Sequence, residues 1–331
     1  MPSPKPGEKD GYQILGYDGA GVVEAVGSSV AAADSFKPGD EVFYAGSPIR
    51  QGSNAEFQLA DSRSIAKKPE KLDFVQAAAM PLTWITAYEA LVERMEIQKG
   101  EKAGLLIVNG SGGESFRFVG EDAGGVKEMT ADAAKTNDFL FATGVGSVAS
   151  QIARQVLQLP VVVTTASRPE TQEFSTSMGA THTINHREDL VPQLEKLKLD
   201  VPIKYIFITH STTPYIAPSA AICAPFGKVC TIVQSKEVPM YGTEFMAKSL
   251  SFIYCLLGTK PWYGVDVESH GKILRELAEL LDKGEVQCHL KQKFNLDVAG
   301  LRKAHEAIEA GGSIGKNGLS VDFGEGKTAF T

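Results

Sequence analysis

Apolar and polar positions along this chain follow two rhythms. Between residues 14 and 66 they fall into short pieces at 21–26, 41–44 and 55–59, separated by Lys37-Pro38-Gly39-Asp40 and Gly52-Ser53-Asn54. Short alternating runs between turn-forming clusters predict strands, and their close spacing predicts a small β-barrel. From about residue 104 the rhythm changes. Uniformly apolar runs at 105–108, 161–165, 205–209, 229–233 and 250–254 are separated by stretches with helical spacing. Strands apolar on both sides, with helices between them, predict a parallel sheet covered on both faces. Val145, Val148, Ala149, Ile152, Ala153 and Val156 share one helical face. Two later helices are expected over 268–283, stopped by Gly284, and over 298–310, with Asp297 as N-cap and Gly311-Gly312 beyond.

Glycines mark the first of these apolar strands. The run 105–109 leads at once into Gly110-Ser111-Gly112-Gly113. Such a turn lets the backbone approach a pyrophosphate, which the following helix N-terminus then receives. Here the helix starts only at Val145. Removing residues 114–144 joins the pieces into Asn-Gly-Ser-Gly-Gly-Val-Gly-Ser-Val-Ala, an unbroken strand–turn–helix. Two origins stand side by side. The segment is a surface loop, or it is a retained intron: codons that can encode Gly113-Glu114-Ser115 and Thr143-Gly144 include intron start and end signals, and excision restores one Gly codon in frame.

The tip of the second sheet strand selects between dinucleotides. An acidic residue there favours NAD, whereas Ser and Arg suit a 2′-phosphate. The run 161–166 ends in Ser167-Arg168-Pro169-Glu170. Arg168 can fork onto a phosphate and Ser167 can donate to it. Glu170, after a proline, belongs to the first turn of the next helix; the plainer alternative for Arg168 is a solvated loop arginine.

Composition narrows the classes. A chain of 331 residues is long enough for two domains with good cores, and 43% hydrophobic residues is ordinary for a globular protein. A net charge of −7 argues against nucleic acid or an anionic membrane as the partner. Cys223, Cys230, Cys255 and Cys288 form no CxxC pair, which suits a reducing compartment. The first seven residues have no apolar core, and no run reaches membrane-spanning length. A soluble, cytoplasmic protein is expected.

Taken in order, these segments resemble the medium-chain dehydrogenase/reductase superfamily, specifically its zinc-free quinone oxidoreductase branch, often labelled zinc-type alcohol dehydrogenase-like. The resemblance rests on Gly16-Tyr17-Asp18-Gly19-Ala20-Gly21-Val22-Val23, Pro38-Gly39-Asp40-Glu41-Val42, the run from Ala79-Met80-Pro81-Leu82-Thr83-Trp84 to Leu91, the split glycine turn, Ala166 to Thr171, Gly179-Ala180-Thr181-His182 and Ile314-Gly315-Lys316. It implies an α/β fold: a Rossmann doubly wound parallel sheet over 91–258, carrying the insertion 114–144, and a GroES-like β-barrel catalytic domain made from 1–90 and the C-terminal return 259–331. NADPH is expected in the cleft between them. Relatives have several strands before the first motif, so the barrel is expected to be N-terminally truncated, with an open sheet edge. The superfamily's zinc enzymes carry His-Glu where this chain has Tyr17-Asp18. No cysteine precedes Cys223, and the six histidines show no ligand spacing, so no metal is expected.

The implied chemistry is hydride transfer from NADPH to a quinone or to the β-carbon of an α,β-unsaturated ketone, including the tailoring of a secondary metabolite. The developing oxygen charge then needs donors. Tyr17, Tyr44 and Thr86 are the candidates; packed tyrosines and a capping threonine are the alternatives. Gly110, Gly112, Gly113, Val145 and Gly146 are assigned to the pyrophosphate, and Ser167, Arg168 and His186 to the 2′-phosphate. Lys316 is either a cofactor contact or a solvated turn lysine. The resemblance also implies a homodimer through 250–254. The competing expectation is an inactive or cofactor-binding-only product of an intron-retaining, truncated gene model.

Overall fold

The computed structural model describes residues 13–28, 30, 36–109, 144–310 and 313–321. Gly110, Gly112, Gly113 and residues 114–143 lie outside the described residues. The chain divides into two compact units. One comprises the described residues up to Ile85 together with those from Gly258 onward; the other is Thr86–Leu257.

The first unit opens with three antiparallel strands, β1 (Asp18–Val22), β2 (Glu41–Ala45) and β3 (Ile65–Lys67), in the order β1-β2-β3. Gly19 faces Tyr44 across the first pair, and Phe43 faces Ala66 across the second. Two expectations need correction. The first strand begins at Asp18 and ends at Val22, and 55–59 is not a strand. That stretch alternates like a strand, but Phe57 and Leu59 are exposed. Its neighbours Ser53 and Asn54 bond back to Gly16 and Leu15, so 52–54 is held as a turn against 14–16. The third strand is instead the short β3. Helix α1 (Phe74–Ala78) starts in a capping box between Asp73 and Gln76, and α2 (Pro81–Tyr88) follows with proline first, where its missing N–H costs nothing. The helical path then widens over Glu89–Arg94.

The second unit contains β4 (Gly104–Val108), α3 (Val145–Gln151), β5 (Val161–Thr165), α4 (Pro169–Ser177), β6 (His182–Ile184), α5 (Leu190–Leu197), β7 (Ile203–Ile208), α6 (Ile216–Ile222), β8 (Lys228–Thr231) and β9 (Ser251–Tyr254). The strands are all parallel, in the order β6-β5-β4-β7-β8-β9. Counted from β4 this is 3-2-1-4-5-6, the doubly wound order. Leu106, Val163, Ile206, Ile208 and Val229 are almost completely removed from water, as strands covered on both faces require. The expected helix over 145–156 is α3 plus a wider-turned continuation, Ile152–Val156.

The chain returns to the first unit through α7 (Thr259–Tyr263), α8 (Glu268–Lys283), β10 (Leu290–Asn295), α9 (Val298–Glu309) and β11 (Lys316–Ser320). Gly284 ends α8 at φ 75, a conformation that favours glycine. Asp297 caps α9 by accepting the N–H of Gly300 at 2.6 Å. Strands β10 and β11 form a separate parallel pair. Among the described residues this unit's strands form open sheets.

Candidate functional site

In the Thr86–Leu257 unit the strand order reverses at β4: β5 and β6 lie to one side, β7 to β9 to the other. Ligands of doubly wound sheets bind at the carboxyl ends of the strands beside such a reversal. At this edge the Thr209 hydroxyl donates to Val108 O at 2.8 Å, and the Asn109 N–H donates to Thr165 Oγ1 at 2.8 Å. Asn109 stands at φ 67, so the chain turns sharply off β4. Gly144 stands at φ 116 immediately before α3, whose first residues Val145 and Gly146 are buried. The Ser147 hydroxyl donates to Gly144 O at 2.8 Å and fixes that first turn. Helix α3 packs on β4 and β5.

The neighbouring strand tips carry the 2′-phosphate candidates. Beyond β5, Ser167 is half-buried and Arg168 exposed. The Arg168 N–H donates to Thr171 Oγ1 at 3.1 Å, and the Thr171 hydroxyl donates to Arg168 O at 2.8 Å. The backbone is thereby held at the start of α4, with Pro169 first and Glu170 in the first turn. Thr165 pairs with Ile184 at the end of β6, and exposed His186 follows two residues later. The Gln193 amide holds that turn by bonding Asn185 through both its N–H and its oxygen. Topology thus brings Val145, Gly146, Ser167, Arg168 and His186 to one edge of the sheet.

Tyr17, Tyr44 and Lys316 belong to the other unit. Tyr17 immediately precedes β1, and its carbonyl accepts the Gly46 N–H at 2.8 Å. The alternation across β1 and β2 puts Tyr17 and Tyr44 on the same sheet face. Burial pushes the Tyr17 phenol up to about 12. Tyr44 is also pushed up to about 12, first by burial and then by the charge of Asp18. The Tyr44 hydroxyl donates to Gln58 Oε1 at 2.5 Å. Its ring passes so close to Gly19 that a Cβ there would lie 2.5 Å from Cζ and from the hydroxyl oxygen. Thr86 is buried in α2 and grouped with the second unit.

Sequence reasoning missed the partner of Lys316. Its ammonium lies 2.7 Å from Asp18 Oδ2, and Asp18 Oδ1 accepts the Leu82 N–H at 2.6 Å, at the start of α2. One carboxylate therefore joins β1, β11 and a helix N-terminus, where negative charge is favoured. Both partners lay in motifs, but no local pattern couples them.

The zinc-binding dehydrogenase family profile matches residues 144–269. The chain is 34% identical over 315 residues to a zinc-type alcohol dehydrogenase-like protein of Staphylococcus aureus, covering 93% of this chain and 83% of that protein. It is 31% identical over 240 residues to the quinone oxidoreductase of Homo sapiens, covering 72% of this chain and 60% of the relative. A crystal structure from Rhizobium etli CFN 42, of a protein assigned to the zinc-dependent alcohol dehydrogenases, is 36% identical with a TM-score of 0.80 over 96% of this chain and 83% of that one. Asp18 is taken by Lys316 and Leu82, and among the described residues no three His, Cys, Asp or Glu side chains form a group that could hold an ion.

Proposed function

This chain belongs to the medium-chain dehydrogenase/reductase superfamily of oxidoreductases, and we propose that it is an NADPH-dependent reductase of quinones or α,β-unsaturated carbonyls that works without zinc. One observation carries the reading: Ser167-Arg168 follow just beyond the second strand of a 3-2-1-4-5-6 sheet, and the nearest acidic residue, Glu170, is built into α4. That edge offers a guanidinium and a hydroxyl where an NAD site would offer a carboxylate.

When bound, the nicotinamide supplies a hydride. The chain's own residues hold the dinucleotide and receive the charge that hydride transfer creates on the acceptor's oxygen. Val145 and Gly146 present the start of α3 to the pyrophosphate, together with Gly110, Gly112 and Gly113. Arg168 forks onto the 2′-phosphate, Ser167 donates to it, and His186 lies beside them. Tyr17 and Tyr44 keep their protons far above neutral pH and are donors for an enolate or quinol oxygen, Tyr44 by exchanging its bond to Gln58; Thr86 is a third donor. Lys316 serves by holding Asp18, which follows Tyr17 directly and faces Ala45, the neighbour of Tyr44, across the strand pair.

The reading is tested by NADPH consumption with 1,4-naphthoquinone and with a simple enone as acceptors. Consumption matched by quinol or saturated ketone supports it. NADPH binding without turnover on any acceptor favours the alternative, a cofactor-binding-only product. The break at 114–144 between β4 and α3 is what keeps that alternative open.

We also propose self-association through β9, the last strand of the sheet, where Tyr254 is 48% exposed beside an edge-on Phe252. A dimer that Tyr254→Asp converts to a monomer in sedimentation supports this; a wild-type monomer contradicts it. Among the described residues no helix is long and apolar enough to cross a membrane.

A further inference from the structure

The unit that carries the two tyrosines also holds a cavity of about 210 Å³, bounded by residues 44–50 and 58–65 on one side and by Pro261, Gly264, Val267 and His270 on the other. Its body is apolar. Ile49 and Leu59 are exposed at 47% and 85%, so this wall stands open to solvent. The volume lies below the ~300–1,000 Å³ of sites for drug-sized ligands, which suits a body of one or two rings.

Its charged lining is two guanidiniums and one carboxylate, and they are unequally engaged. Asp61 caps the turn Ser62–Ser64 and clamps Arg63 through two bonds, Nε to Oδ1 at 3.0 Å and Nη2 to Oδ2 at 2.8 Å. Those Arg63 bonds hold the Asp61 carboxyl below the usual range, so it stays ionised at neutral pH. Arg50 Nη2 reaches Asp61 Oδ2 only at 3.7 Å, outside hydrogen-bond distance. The Arg50 fork is therefore turned to the cavity's charge cluster while keeping donors to spend, and the lining carries one positive charge more than it has negative.

We propose that this cavity binds a small amphipathic organic anion, an aryl or short-chain carboxylate or sulfonate, with its apolar body on Ile49, Leu59 and Val267 and its anionic group on Arg50. A monoanion fits better than a phosphate dianion. Arg63 already bonds Asp61 through two N–H groups, and the Asp61 carboxylate beside Arg50 repels a second negative charge. This inference does not rest on the hydride-transfer reading. Where both hold, Tyr44 in the cavity wall makes anionic quinones or enones preferred over neutral ones.

The test is calorimetric titration of the full chain with 2-naphthalenesulfonate and with its neutral counterpart, 2-naphthalenesulfonamide. The sulfonate is expected to bind about tenfold tighter, as a charge-assisted hydrogen bond provides. Arg50→Gln, a change at an exposed side chain, should erase that preference and leave sulfonamide binding unchanged. Asp61→Asn, which keeps the turn's cap, should widen it. Equal binding of the two probes by the wild type, or a sulfonate preference that survives Arg50→Gln, overturns the proposal. Because the readout is binding, a chain that reduces no quinone but discriminates the probes would remove the hydride-transfer reading and leave the cavity assignment standing.

Discussion

Lys316 and Asp18, 298 positions apart, form an ion pair at 2.7 Å with both side chains about seven-eighths buried. The other Asp18 oxygen takes the Leu82 N–H, so the carboxylate is satisfied on both sides. Removing one member leaves a mostly buried charge without its partner. Asp18→Ala should destabilise the chain by roughly 2–4 kcal/mol, and the double variant with Lys316→Met by less than the sum of the two single changes. Urea unfolding measures both. Single variants within experimental error of wild type would show that the pair is idle.

Tyrosine titration gives a pH signature. Tyr17 and Tyr44 are both raised from the ordinary 10 to about 12, and Tyr205 is raised further by burial and by its bond to Glu101. Between pH 10 and 12 the folded chain holds protons that the unfolded chain has lost. Their contribution to stability is therefore complete below pH 10 and is lost as pH rises through 12. An ultraviolet tyrosinate titration should show a delayed group among the nine tyrosines, with alkaline unfolding beginning above pH 10. Nine tyrosines titrating together near 10 would contradict the burial argument.

Gly19→Ala should disable Tyr44 without touching it. The new Cβ would fall 2.5 Å from the phenol ring, so the ring must leave its bond to Gln58. If Tyr44 donates to the reacting oxygen, turnover should fall by about a hundredfold while NADPH affinity is unchanged. Tyr44→Phe should reproduce that split between turnover and binding. Full turnover in both variants would take Tyr44 out of the mechanism.

Much of this architecture is legible in the chain because the signals are local. Strand β5 and helix α8 occupy the residues their apolar patterns mark, and Pro169 by itself places Glu170 inside α4 and Arg168 at the tip. Residues 55–59 mislead because alternation records which faces a strand could bury, whereas a strand also needs a neighbour for its backbone. The three residues of β3 are too few to carry a period. Of the candidate site, the positions at the strand tips follow from topology. The Asp18–Lys316 pair and the Arg50–Asp61–Arg63 cluster depend on contacts between distant or irregular segments, for which periodicity has no signal.

The central claim is a 2′-phosphate site at Arg168, and paired calorimetric titrations with NADPH and NADH, on the wild type and on Arg168→Ala, test it most directly. The account predicts that the wild type prefers NADPH and that the variant loses at least about tenfold in NADPH affinity while NADH binding is unchanged. Equal losses for the two nucleotides, or no wild-type preference, would contradict it.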